Sequence, residues 1–292
     1  MSRIHEALKR AEQERAEAQG RRLEPAPADD APPLSAVSAF SSAPSLDSLL
    51  ARCTRGDWAP DAKTMLFFNS DERAYGTEEF RTLRSRLYQL REKETLKKLL
   101  ITSSLPKEGK TFVAANLAQA LVRQHGRRVL LIDADLRAAR LHAALGTSAA
   151  PGLAEYLLGE SDELAAVQRG IMENLFFIAS GRKVTNPAEL IANGRLKALL
   201  NRVEPLFDWI IIDSPPAVPV SDAQLLAGCC DGVLIVVRSH HTPYDAASKA
   251  CQEFSERRIL GVVLNGVNNS ATYGDYYNGT YGRPNGKEQS KG

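Results

Sequence analysis

The stretch Leu99-Leu100-Ile101-Thr102-Ser103-Ser104-Leu105-Pro106-Lys107-Glu108-Gly109-Lys110-Thr111-Phe112 decides the fold. A short apolar run, a turn rich in Pro and Gly, and a helix-forming segment predict strand, loop and helix in that order. From Ser104 to Thr111 the spacing matches the phosphate-loop pattern G-x-x-x-x-G-K-[ST], with Ser104 in place of the first glycine. The residue types suit the chemistry. Loop and helix N-terminal N–H groups of Ser104, Lys107, Glu108, Gly109, Lys110, Thr111 and Phe112 can point at phosphate oxygens, and Gly109 allows close approach. Lys110 brings a positive charge to the β/γ-phosphates, and the Thr111 hydroxyl can ligate Mg²⁺. The pattern therefore implies ATP and Mg²⁺ as cofactors.

Working outward, two apolar runs end in acids. Val129-Leu130-Leu131-Ile132 leads into Asp133-Ala134-Asp135-Leu136-Arg137, and Trp209-Ile210-Ile211-Ile212 leads into Asp213-Ser214-Pro215-Pro216. In open parallel sheets ligands bind beyond the carboxyl ends of the strands. Three acids gathered there would repel one another, and a bound Mg²⁺ removes the conflict. Lys110, Asp133, Asp135 and Asp213 are thus the candidate catalytic residues. Thr111, Asp133 and Asp213 are the candidate metal ligands. Further apolar runs at Leu175–Ile178, Val233–Val237 and Val262–Leu264 alternate with helical patterns at Thr77–Leu90, Thr111–Gln124, Pro187–Asn201 and Tyr244–Arg257. Runs without polar alternation suit strands buried on both faces. The predicted fold is α/β: a doubly wound, mostly parallel sheet flanked by helices, of the P-loop NTPase type. Thr77 is the expected cap of its helix.

Four segments follow. Residues 1–20 predict an amphipathic helix with Ile4, Ala7, Leu8 and Ala11 on one face. Residues 21–64 are rich in Pro, Ala, Ser and Asp and predict a disordered linker. Residues 65–270 hold the globular domain. Residues 271–292 form a Gly- and Asn-rich tail with no aliphatic core residues, yet the tail carries Tyr273, Tyr276, Tyr277 and Tyr281, four of the chain's eight tyrosines. Aromatic rings normally belong in a core or an interface, so exposed tyrosines there point to a use other than packing.

A formal net charge of +2 on 292 residues, without a local basic patch, gives no sign of a nucleic-acid partner. The cysteines, Cys53, Cys229, Cys230 and Cys251, have neither metal-ligand spacing nor a CxxC pair and predict reduced thiols. No apolar run reaches the roughly 18 residues that a membrane helix needs, and the charged opening MSRIHEALKRAEQER is unlike a signal peptide. The expected location is the cytoplasm.

With these residues in view, the sequence resembles the bacterial tyrosine kinases of capsule and exopolysaccharide synthesis. The resemblance rests on the loop Ser104–Thr111, on LLIDADLR at 130–137, on IIIDSPP at 210–216 and on the tyrosine-rich tail. PGLAEYLLGE at 151–160 and SGRKVTNPAELI at 180–191 add to it, and the opening resembles that of stand-alone autokinases of exopolysaccharide and exosortase gene clusters. The resemblance implies an autokinase that phosphorylates the tail tyrosines in trans. Lys110 would contact phosphates, Thr111 would hold Mg²⁺, and Asp133 or Asp135 would accept the tyrosine proton. Asn265 would contact adenine. Glu78, Arg81 and Arg84 match the family's subunit-contact motif, which closes a ring-like homo-oligomer; read as residues alone, they share a helical face and can pair internally.

The same resemblance implies a separate transmembrane chain-length regulator as activator, a cognate tyrosine phosphatase, and attachment to the inner face of the membrane through a partner. Phosphates of roughly −1.5 to −2 charge each on one tail would loosen the ring. Two other readings remain. A positioning ATPase of the partition or septum-site kind shares the fold, but it resembles KGGxGKT in the loop, where this chain has Leu105 at the lysine position. A regulatory subunit without kinase activity is the second.

Overall fold

A computed structural model describes residues 45–68, 76–170 and 172–267. The helix expected at 1–20 and the tail tyrosines lie outside the described residues. The chain order is α1 (Leu46–Arg52), β1 (Thr54–Arg55), α2 (Thr77–Lys93), β2 (Lys98–Ser103), α3 (Lys110–Val122), β3 (Val129–Asp133), α4 (Leu141–Leu145), α5 (Leu153–Leu158), β4 (Val167–Arg169) and β5 (Leu175–Ile178). Then come α6 (Pro187–Ala192), α7 (Arg195–Val203), a short 3₁₀ turn (Glu204–Leu206), β6 (Trp209–Asp213), α8 (Asp222–Ala227), β7 (Gly232–Arg238), α9 (Tyr244–Glu253) and β8 (Ile259–Asn265).

The strands form one sheet in the order β1-β4-β5-β3-β6-β2-β7-β8. All pairs are parallel except β4 with β5. Side chains on a strand alternate between faces, so each central strand supplies two cores. Leu100, Leu130, Ile132, Ile210 and Ile212 face one layer with the helices α5 to α8. Leu99, Ile101, Val129, Leu131, Trp209 and Ile211 face the other, with α2 and α3. The register sets Ile101 beside Asp213 and Asp213 beside Asp133. That register brings the two acidic strand ends to one edge of the sheet, next to the loop that follows β2.

Three expectations change. The linker over 21–64 does not extend into the described part: from Ser45 onward the chain is ordered against the domain. Ser45 caps α1 through its hydroxyl, which accepts from the Ser48 N–H, while Ser48 returns a bond to the Ser45 N–H. Leu49 and Trp58 are then buried. The Ser- and Pro-rich composition masked two apolar anchors sufficient to repay the ordering cost. Thr77 is not the cap of α2; Gly76, with φ +99°, holds that position and Thr77 is buried. The helix expected over Pro187–Asn201 divides at Asn193-Gly194, where Gly194 adopts φ +84°. The edge strand β1 and its neighbour β4 are new.

Two amides on α3 reach across to the segment before α2. Asn116 Oδ1 accepts the N–H of Leu66 (2.8 Å) and its Nδ2 donates to Thr64 O (2.8 Å). Gln119 Oε1 accepts the N–H of Phe67 (3.1 Å). Arg123 adds a bond to Phe67 O. Both amides are fully buried, and satisfied buried groups of this kind fix one arrangement.

Candidate active site

The phosphate loop has the expected frame. Gly109 caps α3 at φ +98°, and Val113 N–H donates to its carbonyl (2.9 Å). Lys107 also adopts a left-handed φ of +67°, uncommon for a side-chain-bearing residue. Among the described residues, no backbone acceptor takes the N–H groups of Lys107, Glu108 or Gly109. With the first N–H groups of α3 they leave a row of free donors at a helix mouth, which is an anion cradle.

The loop is braced from the far side of the sheet. Glu108 turns its carboxylate inward, accepts from Leu105 N–H (2.8 Å) and accepts from the Thr242 hydroxyl. Only its backbone remains for a nucleotide. Asn265, at the end of β8, donates from Nδ2 to Glu108 O (2.9 Å), and Arg238 Nη1 donates to Lys107 O (3.2 Å). A Cβ on Gly109 would stand 2.0 Å from Asn265 Nδ2. The ring of Phe112 packs against Phe80 at 5.9 Å, so it too faces away from the cradle.

Lys110 Nζ lies 3.1 Å from Asp135 Oδ2. Burial works against the lysine's charge, but Asp213, Asp135 and Asp133 outweigh it and hold the group above its ordinary value. Asp133 is fully buried. It accepts from the N–H of Asp135 (3.2 Å) on Oδ1 and of Leu141 (3.1 Å) on Oδ2. Burial, with repulsion from Asp213 and Asp135, nonetheless pushes its carboxyl up to about 8. Asp213 is pushed up to about 6 by burial, with Lys110 and the Thr111 hydroxyl working the other way. Thus Asp135 has an ion-pair partner and Asp133 has none among the described residues.

Asp213 Oδ1 and Ser104 Oγ are buried with no partner among the described residues. An orphan carboxylate oxygen beside the Thr111 hydroxyl, next to a cradle of free N–H groups, fits a cation held jointly with phosphate oxygens. Among the described residues no group of three or more His, Cys, Asp or Glu could hold a metal alone. Mg²⁺ bound to a nucleotide needs no such cage, because phosphates and waters fill most of its octahedron.

One ion pair escaped the sequence reading. Arg137 Nε and Nη2 donate to the two oxygens of Asp222 (2.8 and 2.9 Å), and Asp222 is fully buried in the first turn of α8. The fork ties the loop after β3 to the loop after β6. Glu78, Arg81 and Arg84 are engaged within the chain: Arg81 pairs with Glu78, and Arg84 Nη1 donates to Ala120 O (2.8 Å). Nothing among the described residues tests their role between subunits. The four cysteines are free, as expected, and no described helix is long and apolar enough to cross a membrane.

An AAA domain model matches residues 107–256, from the phosphate loop through α9. Tyrosine-protein kinase YwqD of Bacillus subtilis (strain 168) is 35% identical over 211 residues, covering 71% of this chain and 89% of that protein. The chain belongs to the bacterial tyrosine kinases. The kinase domain of Escherichia coli tyrosine kinase ETK superposes with a TM-score of 0.66 at 33% identity, over 70% of this chain and 82% of that one. Tyrosine-protein kinase wzc of Salmonella typhimurium (strain LT2) is 32% identical over 202 residues, and the match spans 28% of that longer protein. The chain is therefore a tyrosine-protein kinase built on a nucleotide-binding P-loop domain.

Proposed function

We propose that this kinase transfers the γ-phosphoryl group of ATP to Tyr273, Tyr276, Tyr277 and Tyr281 of a neighbouring copy in a ring-like oligomer. The observation that carries the reading is the contrast between Asp133 and Asp135. A tyrosine hydroxyl, with a pKa near 10, needs a base as it attacks. Asp133 accepts two backbone N–H bonds and has no ion-pair partner among the described residues, which leaves it the less encumbered of the two. Asp135 is spoken for by Lys110.

The phenolic oxygen forms a bond to the γ-phosphorus as the bond from phosphorus to the β,γ-bridging oxygen breaks. ADP leaves with that electron pair, and the phenolic proton passes to Asp133 Oδ. Phosphoryl transfer is loose and the protein mainly positions groups and neutralises charge. Lys110 exchanges Asp135 for phosphate oxygens, the N–H groups of residues 107–111 hold the rest, and Asn265 borders the adenine. Thr111 and Asp213, with Asp133 nearby, would hold Mg²⁺, which would supply further charge neutralisation.

The tail is tethered to the domain, so within an oligomer its local concentration at a neighbour's site is about millimolar. Glu78, Arg81 and Arg84 lie on α2, whose N-terminal half is the proposed subunit contact. The kinase then serves exopolysaccharide polymerisation or export, beneath the membrane, with a separate transmembrane activator and a phosphatase that resets the tail. The test is mass spectrometry of the purified chain beside a Lys110→Met variant. Phosphate on Tyr273–Tyr281 in the parent and none in the variant supports the reading. Release of free phosphate with unmodified tyrosines would overturn it in favour of a positioning ATPase.

A further inference from the structure

The order of the sheet fixes the side from which the acceptor enters. The phosphate loop follows β2, Asp213 ends β6 and Asp133 ends β3, so these groups lie in that order along the carboxyl edge. In-line transfer needs the attacking oxygen opposite the leaving β-phosphate. With the β-phosphate in the cradle, the acceptor approaches from beyond β3. The next strand there is β5, one strand spacing (about 4.8 Å) away, and Ile178 stands level with Ile132. The loop after β5 therefore starts beside Asp133.

That loop borders an open concavity of about 420 Å³, whose lining includes Leu158, Arg182, Lys183, Val184, Glu189 and Leu190. Leu158 is exposed, although it is a large aliphatic side chain. Lys183 is exposed and its side chain meets no acid among the described residues. Arg140, exposed and equally without an acid, sits one residue before the Leu141 N–H that bonds Asp133. Arg182 pairs only with Glu160 at the surface, where both are about half exposed. The groove thus joins three aliphatic side chains to two cations and the acid Glu189, on the loop that starts beside Asp133, with Arg140 on the neighbouring loop after β3.

We infer that this groove is the acceptor-docking site of the kinase, and that it holds the tail residues flanking the tyrosine being phosphorylated. The inference rests on the tail reading above. Within Thr272-Tyr273-Gly274-Asp275-Tyr276-Tyr277 the tyrosines lie three and four residues apart, with Asp275 between them. An extended chain covers roughly 10 to 13 Å over that interval. One hydroxyl at Asp133 therefore leaves a second ring over Leu158, Val184 and Leu190, with Asp275 facing Arg140 and Lys183. Once a tyrosine in the groove carries phosphate, the same cations meet a stronger anion.

The experiment measures phosphorylation of a synthetic peptide of residues 270–283 by the full chain, with KM for peptide and for ATP determined separately. The R140E/K183E double variant is expected to raise the peptide KM about fivefold or more relative to the ATP KM. A peptide with Asp275→Lys should recover most of that loss in the variant while performing worse with the parent. Sinking the inference takes only a peptide KM within twofold of the parent, or a failed charge swap, in a variant that melts like the parent. A parent that labels no tyrosine in the peptide removes the tail reading itself, and the groove with it.

Discussion

Gly109→Ala is the sharpest single test of how the phosphate loop is held. At φ +98° an alanine carries about 1–2 kcal/mol of left-handed strain. Its methyl would also lie 2.0 Å from Asn265 Nδ2, so the amide has to move and its bond to Glu108 O is lost. A hydrogen bond of this kind contributes about 1 kcal/mol. The sum is about 2–3 kcal/mol, or roughly 4–12 °C in Tm for a domain of this size. Because the displaced groups line the cradle, ATP affinity should fall as well, by at least tenfold. Asn265→Ala alone should cost about 1 kcal/mol. Together the two changes should cost no more than Gly109→Ala alone, because the same bond cannot be lost twice. Thermal melts and calorimetric ATP titrations on the three variants measure each quantity. Full additivity, or an unchanged melt in Gly109→Ala, would refute the close approach of Asn265 to the loop.

Three further outcomes are expected. Arg137→Met strands the buried Asp222 carboxylate and should destabilise the fold by about 3 kcal/mol in urea melts, whereas adding Asp222→Asn should restore part of it. Asn116→Ala removes the clasp on Thr64 and Leu66, at a cost of about 2–3 kcal/mol, and proteolysis just after Phe68 should become faster. Asp208 is pushed up by burial, but the Arg128 N–H and the Arg127 guanidinium outweigh this and hold it below the usual carboxylate range. A depressed folded-state value contributes stability above the unfolded value of about 3.9, and that stability is lost as pH falls through the folded one. The Tm gap between the parent and Asp208→Asn should therefore be full at neutral pH and close in acid; a gap constant from pH 3 to 7 would contradict it.

Much of this was legible in the chain because buried parallel strands write themselves as unbroken apolar runs. Leu175–Ile178 was placed without error, and Trp209–Ile212 differed only by its terminal acid. Val167-Gln168-Arg169 was not, since three residues with two polar members carry no periodic signal. Helix α1 hid in a Ser- and Pro-rich stretch, although Leu46 and Leu49 at helical spacing after Ser45 were its trace. The lysine and the three acids were named from motif spacing and strand ends, and the fold brings them to one edge of the sheet. The braces were not: Thr242 lies 134 residues from Glu108, and Asp222 lies 85 from Arg137. Nothing in the sequence sets Asp222 apart from any other first-turn acid. Only a tertiary fold says which distant arginine meets it. Asn116 and Gln119 did leave a sign, as amides on an otherwise apolar helix face.

The bond from Asn265 to Glu108 closes a span of 157 residues across the sheet. Chains emerge from the ribosome beginning with their first residues, and contacts of such range are the slowest to find. A nascent kinase would thus display its lysine and all three acids while the turn that aligns them still lacks its last prop. Competence to grip ATP arrives at the end of assembly, so half-made copies should sit idle instead of burning nucleotide beside their finished neighbours.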